Sequence, residues 1–324
     1  MVLQKLSIGQ KKLIMNNTPL VSILMNCFNG DRYLREAIDS VINQSLMPFE
    51  VIIVDDYSHD DSRSLILSYA NKYPELIKPI FNEKNLGISL TRNIALKAVT
   101  GDLITSLDGD DYYYSKKLEN ELLWLNNSVG CYSVYSNFHY VSESNQIQGR
   151  FSEVGDNPAQ GDIFANVFGR NYGVTSGGNI RCDMFYKKCL EDVGYYNPAV
   201  SLWEDWDFYI RFSKRYQYAY CPEINMVYRQ HDMGLSKVTN ELHYRYQKII
   251  FNNNKSLLNN INEDKKLYIK SRVNKKLEGL LNGIMEDSIN AGNLLKAFFV
   301  WTKLFISYKK KKYFKIGLRY FTPN

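Results

Sequence analysis

The chain has 324 residues, 45% of them hydrophobic and 23% charged, with a formal net charge of +6. That is material for one large domain with an appendage, or for two modest domains, and a sizeable buried core is expected. Cys27, Cys131, Cys182, Cys189 and Cys221 are odd in number and show no CxxC or Cys/His ligand spacing, which excludes a disulfide framework and a structural zinc site.

No apolar run approaches the roughly 18 residues of a membrane span. The opening "MVLQKLSIGQKKLIMNN" lacks the long apolar core and small-residue cleavage site of a secretory leader, so a cytoplasmic protein is expected. From Leu20 strand and helix alternate. "LVSILMNCF" (20–28) is a short apolar run fit for a buried strand, and "DRYLREAIDSVINQ" sets apolar residues at 34, 37, 38, 41 and 42, a helical stripe. "EVIIVDD" (50–56) is a second buried strand ending in a carboxylate pair, and Ser58 or Asp60 is placed to cap the helix after it. "LIKPIF" (76–81) predicts a third strand, "ISLTRNIALKAV" a helix, and "DLITSLD" (102–108) a fourth strand. This order predicts an α/β fold, a mostly parallel sheet flanked by helices. Ligands of such sheets bind beyond the carboxyl ends of the strands, where Asn26–Cys27, Asp55–Asp56 and Asp108–Asp110 gather.

Past about residue 125 the pattern loosens. "CYSVYSNFHYV" reads as a strand, "GVTSGGNI" as a Gly-rich strand or loop, and Trp203–Arg215 as a helix. From about Asn240 the sequence is helical without strands and rich in Lys, Asn and Leu. The chain therefore divides into a tail 1–18, a main domain 19–239 and a helical, basic segment 240–324.

The stretch "DGDD" (108–111) crowds negative charge into a cationic chain, although a reversal needs only one Asp and one Gly. In an extended segment residues two apart point the same way, so Asp108 and Asp110 can face one ligand while Gly109 lets the backbone come close. Such a pair suits Mg²⁺ or Mn²⁺ shared with a substrate phosphate. The alternative is an Asp-rich loop capping a helix that begins near Ser115. Asp55 and Asp56 are placed to accept from a nucleobase N–H or a ribose hydroxyl, or to cap the next helix. Neither GxGxxG nor GxxxxGK[ST] occurs, which argues against a dinucleotide Rossmann domain and a P-loop NTPase.

The blocks "PLVSILMNCFNGDRYLREAIDSVINQS", "FEVIIVDDYSHDDS", "NEKNLGISLTRNIALKAVTGDLITSLDGDD" and "LWEDWDFYIRF" fall in this order between Pro19 and His231. Together they closely resemble the family 2 glycosyltransferases, which have the GT-A fold. The resemblance implies an inverting enzyme that uses a nucleotide-diphosphate sugar, usually a UDP-sugar, with Mn²⁺ or Mg²⁺. It makes Asp56 the carboxylate that contacts the uracil and the backbone of Asn26, Cys27 and Phe28 the wall of the base pocket. It makes Arg92 the nucleotide- or diphosphate-contacting arginine, and Asp108 and Asp110 the DxD pair, Asp110 being the direct metal ligand. Read from the residues alone, Arg92 is equally a solvated helix arginine. The sequence departs from the commoner pattern at Asn26, where Pro or Thr is frequent, and at Tyr57, where a small residue usually follows the Asp pair.

An inverting transfer needs a carboxylate that takes the acceptor hydroxyl's proton as the oxygen attacks C1 of the sugar. In "WEDWD" (203–207) the resemblance gives Asp205 that role, with Glu204 the alternative base or an acceptor-binding partner, and Trp203 and Trp206 suited to stacking on an acceptor sugar. The same residues also fit an acid-rich first helical turn with both tryptophans in the core. In "MVYRQHDMGLS", Tyr228, Arg229 and His231 fall where the family often has a short basic block closing over the diphosphate. Arg229 is accordingly expected on the donor, and His231 on the metal or a phosphate oxygen.

"NLLKAFFVWTKLFISYKKKKYFKIGLRYF" (293–321) mixes aromatic and aliphatic residues with lysines, and no acidic residue follows Asp287. It suits a helix lying in a membrane interface against anionic head groups, or a helical cap whose lysines are solvated. No nucleic-acid motif accompanies it, so nucleic acid is not an expected partner. The expectation is a cytoplasmic, peripherally membrane-bound glycosyltransferase that adds a sugar to a glycan or lipid-linked acceptor. Family members of this size often build capsule, O-antigen or related polysaccharide. Two readings compete with it. A sugar nucleotidyltransferase would need a Gly-rich phosphate loop, which is missing between Asn26 and Gly30. Against a non-catalytic glycan-binding or scaffold protein stand the intact Asp108/Asp110 pair and Asp205.

Overall fold

The structure is a computed structural model that describes residues 19–181, 183–232, 234 and 237–321; the expected tail 1–18 lies outside the described residues. Four parallel strands, β1 (Val21–Cys27), β2 (Glu50–Asp55), β3 (Ile77–Phe81) and β4 (Leu103–Asp108), lie side by side in the order β3-β2-β1-β4. Every residue of β1 and β2 is buried, as strands covered on both faces require. The first covering helices are α1 (Asp31–Ile42), α2 (Ser62–Lys72) and α3 (Ile88–Ala98). On α1 the stripe turns inward through Leu34, Ala37, Ile38 and Val41. At the start of α2, Asp60 Oδ1 accepts the Ser62 N–H at 3.0 Å, while the Ser58 hydroxyl accepts the Asn29 N–H at 2.9 Å and ties down the exit of β1.

Beyond β4 come β5 (Tyr112–Tyr113), α4 (Lys117–Asn127), β6 (Cys131–Ser142), β7 (Ile147–Arg150), α5 (Phe164–Gly169), β8 (Met184–Tyr186), α6 (Leu190–Val193), α7 (Glu204–Ser213) and β9 (Gln217–Gln230). Strand β8 runs antiparallel between β4 and β6, and β9 runs parallel to β6 and antiparallel to β5. The sheet therefore reads β3-β2-β1-β4-β8-β6-β9-β5, with β7 paired to β6. "GVTSGGNI" is a loop, not a strand. Gly173 there has φ of 75°, and a Cβ on it would stand 2.3 Å from the Asn157 carbonyl oxygen, so only glycine fits.

From Asn240 the described chain is helical: α8 (Asn240–Asn254), α9 (Glu263–Asn290), α10 (Leu294–Tyr308) and α11 (Lys311–Tyr320). Ile250, Leu258, Ile269, Val273 and Leu277 join the main core, so α8 and α9 pack on the sheet domain. Leu281, Ile284 and Met285 of α9 meet Ala297, Leu304 and Tyr313 in a second cluster. Several lysines of this segment are engaged by the protein: Lys296 pairs with Glu241 at 2.6 Å, and Lys310 and Lys312 both pair with Glu278.

Glu50 locks the amino-terminal ends of the strands, opposite the end where the carboxylates gather. Fully buried, it accepts from Ser22 Oγ (2.7 Å), Thr100 N–H (2.6 Å), Thr100 Oγ1 (2.8 Å) and the Lys78 ammonium. Burial alone would raise its pKa, but the Lys78, Ser22 and Thr100 bonds outweigh it and hold the carboxyl down at about 2. A folded-state pKa below the unfolded one stabilises the protein fully above the unfolded value of about 4.3, and that contribution is lost as pH falls toward 2. Allowing for the solvent exposure of Lys78, Glu50→Gln should cost about 2 kcal/mol at pH 7. Urea melts of both proteins should show that deficit at pH 7 and a clearly smaller one at pH 3.

Candidate functional site

Parallel registry brings three sequence segments to one edge. Asn26 lies beside Asp108 and Cys27 beside Asp55, so the ends of β2, β1 and β4 line up. Asn26 is 8% exposed, and neither its amide nitrogen nor its amide oxygen has a hydrogen-bond partner among the described residues. A buried amide left with open donors and acceptors marks a place for a polar ligand. Cys27 contributes only backbone: its carbonyl accepts the Asp56 N–H at 2.8 Å, while burial pushes its thiol up to about 11. Phe28 is half-exposed at the rim, as is Tyr57, whose φ of 68° turns it outward after β2.

The two carboxylates after β2 are bound differently from one another. Asp55 Oδ2 accepts the Ser58 N–H at 3.1 Å and lies 3.5 Å from Arg63. Asp56 holds the loop that leads into α3: Oδ1 accepts from Asn82 Nδ2 and the Leu86 N–H, both at 2.8 Å, and Oδ2 accepts the Gly87 N–H at 2.9 Å. Asp56 thus shapes the pocket wall, and Oδ2 keeps one lone pair for a further donor.

Each aspartate of "DGDD" has a different basic partner. Asp108 Oδ1 meets Arg92 Nη2 at 2.8 Å, Asp110 Oδ2 meets His231 Nε2 at 2.9 Å, and Asp111 Oδ1 accepts the Arg229 backbone N–H at 2.8 Å. Burial acts to raise Asp108, but Arg92 outweighs it and holds the carboxyl below the usual range. Asp111 is pushed well above that range by burial and by Asp110 beside it. The hydrogen bond that His231 donates to Asp110 raises the imidazole above the ordinary histidine value. Asp110 and His231 offer one oxygen and one nitrogen, and no group of three or more His, Cys, Asp or Glu suited to a metal occurs among the described residues. A divalent cation bound here would have to displace the proton that His231 Nε2 shares with Asp110 Oδ2 and complete its shell with substrate oxygens and water.

Arg92 is no solvated helix arginine. Its guanidinium, 12% exposed, bridges Asp108 and Glu204, with Nη1 at 2.8 Å from Glu204 Oε1. Arg229 departs from expectation in the opposite sense. Its side chain is 2% exposed and turned into the protein: Nε donates to the Asp110 carbonyl at 3.0 Å, Nη2 meets Glu36 at 2.6 Å, and Nη1 donates to Asn145. It holds the "DGDD" turn in place instead of facing a diphosphate.

The tryptophans of "WEDWD" separate. Trp206 is 4% exposed and donates its indole N–H to the Val167 carbonyl at 2.8 Å, so it is a core residue and not an acceptor platform. α7 is buried on nearly every side, through Glu204, Trp206, Asp207, Phe208, Tyr209 and Ile210, so an inner position of this helix lies in the core. Trp203, the N-cap with φ of 65°, is half-buried, donates its indole N–H to His243 and carries the Arg170 guanidinium 3.9 Å above its ring. Glu204 is raised by burial and by Asp205, in spite of Arg92. Asp205 is half-buried; Oδ1 accepts the Trp206 N–H at 2.7 Å, and Oδ2 has no hydrogen-bond partner among the described residues. Two arginines escaped sequence reasoning. Arg181 stacks 3.5 Å over Tyr228 with Asp111, Asp205 and Asp108 as charged neighbours, and Arg170 neighbours Asp205. Both lie in loops without periodicity, where no pattern singles them out.

Removing the Arg92 guanidinium would leave Asp108 and Glu204 without their shared cation. The folded-state pKa of Asp108 would then rise above its unfolded value and that of Glu204, already raised, would rise further, a penalty present at neutral pH and relieved as pH falls through the raised values. Arg92→Ala should therefore lose about 3 kcal/mol of stability at pH 7. Denaturant melts should show a smaller deficit at pH 5.

The sequence model of Glycosyl transferase family 2 matches residues 22–178. An uncharacterized glycosyltransferase of Haemophilus influenzae is 41% identical over 106 residues, 33% of this chain and 42% of that protein. Another, MJ1057 of Methanocaldococcus jannaschii, is 28% identical over 250 residues, 75% of this chain and 83% of that protein. The matches to the Bacillus subtilis and Haemophilus influenzae relatives span about two fifths of their lengths, 40% and 42%. Among solved structures, TarS 1-349 of Staphylococcus aureus in complex with UDP-GlcNAc superposes with a TM-score of 0.59 at 17% identity, covering 88% of this chain and 80% of that one. Residues 22–178 are thus a glycosyl transferase family 2 domain, and the chain folds on the GT-A plan.

Proposed function

We propose that the protein transfers a sugar, with inversion, from a UDP-sugar to a hydroxyl of a glycan or lipid-linked acceptor in the making of a cell-surface polysaccharide. One observation carries this reading: Asp205, a carboxylate with an open oxygen, stands at the start of α7 in the same charged cluster as the "DGDD" turn, joined to it through Glu204 and Arg92. The structural neighbour solved with UDP-GlcNAc supports the donor class. We assign residues 19–239 as the catalytic unit and 240–324 as its helical extension.

In this mechanism the unpartnered Asn26 amide, the backbone at Cys27–Phe28 and the loop held by Asp56 receive the base. Asp110, with His231 beside it, would hold a divalent cation, which would supply positive charge to the diphosphate and to the departing UDP. Asp205 accepts the proton of the acceptor hydroxyl as its oxygen bonds to C1 and the bond from C1 to the diphosphate breaks. Glu204, held by Arg92, positions that turn and is not the base. Trp203, half-buried with one ring face covered by the Arg170 guanidinium, borders the acceptor side. Asp205→Asn should slow transfer at least 10²-fold while UDP affinity stays within about twofold. Rates and UDP binding of D205N and E204Q measured side by side test the assignment; an active D205N enzyme would overturn it.

The same reading places the protein at a membrane surface. No described helix is long and apolar enough to cross a membrane. On α10, however, Leu295, Phe299 and Ile306 are each more than 60% exposed and are spaced to share one face, with Lys309 at the end of the helix. Full-length protein should sediment with vesicles containing anionic lipid, and Phe299→Glu with Ile306→Glu should reduce the bound fraction severalfold. Equal sedimentation of wild type and variant would remove the membrane assignment.

A further inference from the structure

We infer that the acceptor carries a phosphate group, bound in a basic subsite formed by Arg170, Arg272 and Lys276 beside Trp203 and Asp205. This rests on the reading of Asp205 as the base. Arg170 follows α5 with φ of 49°; its guanidinium lies over Trp203, and Nε donates to Asn179 Oδ1 at 3.2 Å. From α9, Arg272 donates Nε to the Gly169 carbonyl at 3.4 Å, and its stem lies so close that a Cβ on Gly169 would come within 3.3 Å of it. Lys276 stands one helical turn further along the same face of α9.

All three cations are half-buried, and among the described residues none forms an ion pair. Lys265 and Lys266, earlier on the same helix, are paired with Asp162 and Glu263. Burial, with Arg170 and Arg272 beside it, draws the Lys276 ammonium down to about 8. Like charges gathered in a partly desolvated place repel one another until an anion joins them. Two guanidiniums and an ammonium match the oxygens and multiple charge of a phosphate better than a neutral sugar or a single carboxylate.

The subsite meets the donor cluster at Arg170, which has Asp205 and Arg181 as charged neighbours, whereas no carboxylate of that cluster is a charged neighbour of Lys276. Asp108, Asp111 and Asp205 act on Arg181; Asp205 acts on Arg170; Lys276 has Arg170 and Arg272 as its charged neighbours. A phosphate at Lys276 is therefore not the donor diphosphate at Asp110 and His231. It belongs to the molecule whose hydroxyl approaches Asp205.

The test uses full-length protein with and without saturating UDP and Mn²⁺, titrated with glycerol 1-phosphate, geranyl diphosphate, glucuronate and glycerol, with intrinsic tryptophan fluorescence and calorimetry as readouts. A phosphate probe should bind saturably with UDP present, glycerol should not, and Arg272→Gln with Lys276→Gln should weaken that binding at least tenfold while UDP affinity and melting temperature stay near wild type. Binding of glycerol 1-phosphate places the phosphate on the acceptor glycan, and of geranyl diphosphate alone on a lipid carrier. No binding of either, binding unchanged in the double variant, or glucuronate bound as tightly overturns the inference. Lys276-dependent phosphate binding by a protein that fails to bind UDP would leave the subsite standing and overturn the glycosyltransfer reading instead.

Discussion

Five carboxylates, Asp108, Asp110, Asp111, Glu204 and Asp205, crowd one edge of the sheet, and the fold must keep them together against their mutual repulsion. The Arg92 guanidinium does most of this by bridging Asp108 and Glu204, residues that come from the end of β4 and the start of α7. Arg92 is in turn placed by α3. The loop entering α3 is bound to Asp56, and Asn93, next to Arg92, exchanges hydrogen bonds with the Tyr196 backbone, donating to its carbonyl at 2.8 Å and accepting its N–H at 2.9 Å. One helix therefore couples the wall expected to receive the nucleotide to the turn that carries Asp205. A pair so desolvated is costly to break and contributes little net stability, so its value is positional.

Arg229 plays a comparable part at the other side of the turn. Its backbone N–H and its side chain reach Asp111, Asp110, Glu36 and Asn145, so β9, α1, the "DGDD" turn and the β6–β7 turn meet on one residue. The Asp110–His231 pair is thereby oriented before any ligand arrives. Electrostatic stabilisation works best when donors and acceptors need not reorganise.

The elements that sequence reasoning recovered are those whose burial repeats at short range. β1, β2 and β4 are continuous apolar runs, and α1 has an unbroken inward stripe, so their places and the gathering of Asn26, Asp56 and Asp108 could be read off directly. Single side chains were read less well, because their fate depends on distant partners. Trp203 and Trp206 look alike in "WEDWD", yet Trp206 lies within a helix that the surrounding protein covers on nearly every side, whereas Trp203 precedes it as the N-cap and is half-buried. Arg229 is bound by Glu36, 193 residues away, a contact no local pattern contains. Arg170 and Arg181 lie in irregular loops and owe their place to long-range packing.

The same contrast accounts for how an acidic crevice sits in a chain of net charge +6. Around the "DGDD" turn Arg92, Arg229 and His231 are engaged by carboxylates, and on the proposed reading a divalent cation would complete the neutralisation that lets a diphosphate approach. Around Trp203 the excess runs the other way, with Arg170, Arg272 and Lys276 unpaired among the described residues. Asp205 is a charged neighbour of Arg170, Arg181 and Glu204, and so touches both regions. Opposite charge on the two sides would sort two anionic substrates, one reaching the acidic wall with its cation and the other reaching the basic wall without one. The helical extension then has a place in the chemistry, because α9 supplies two of the three cations of the basic wall.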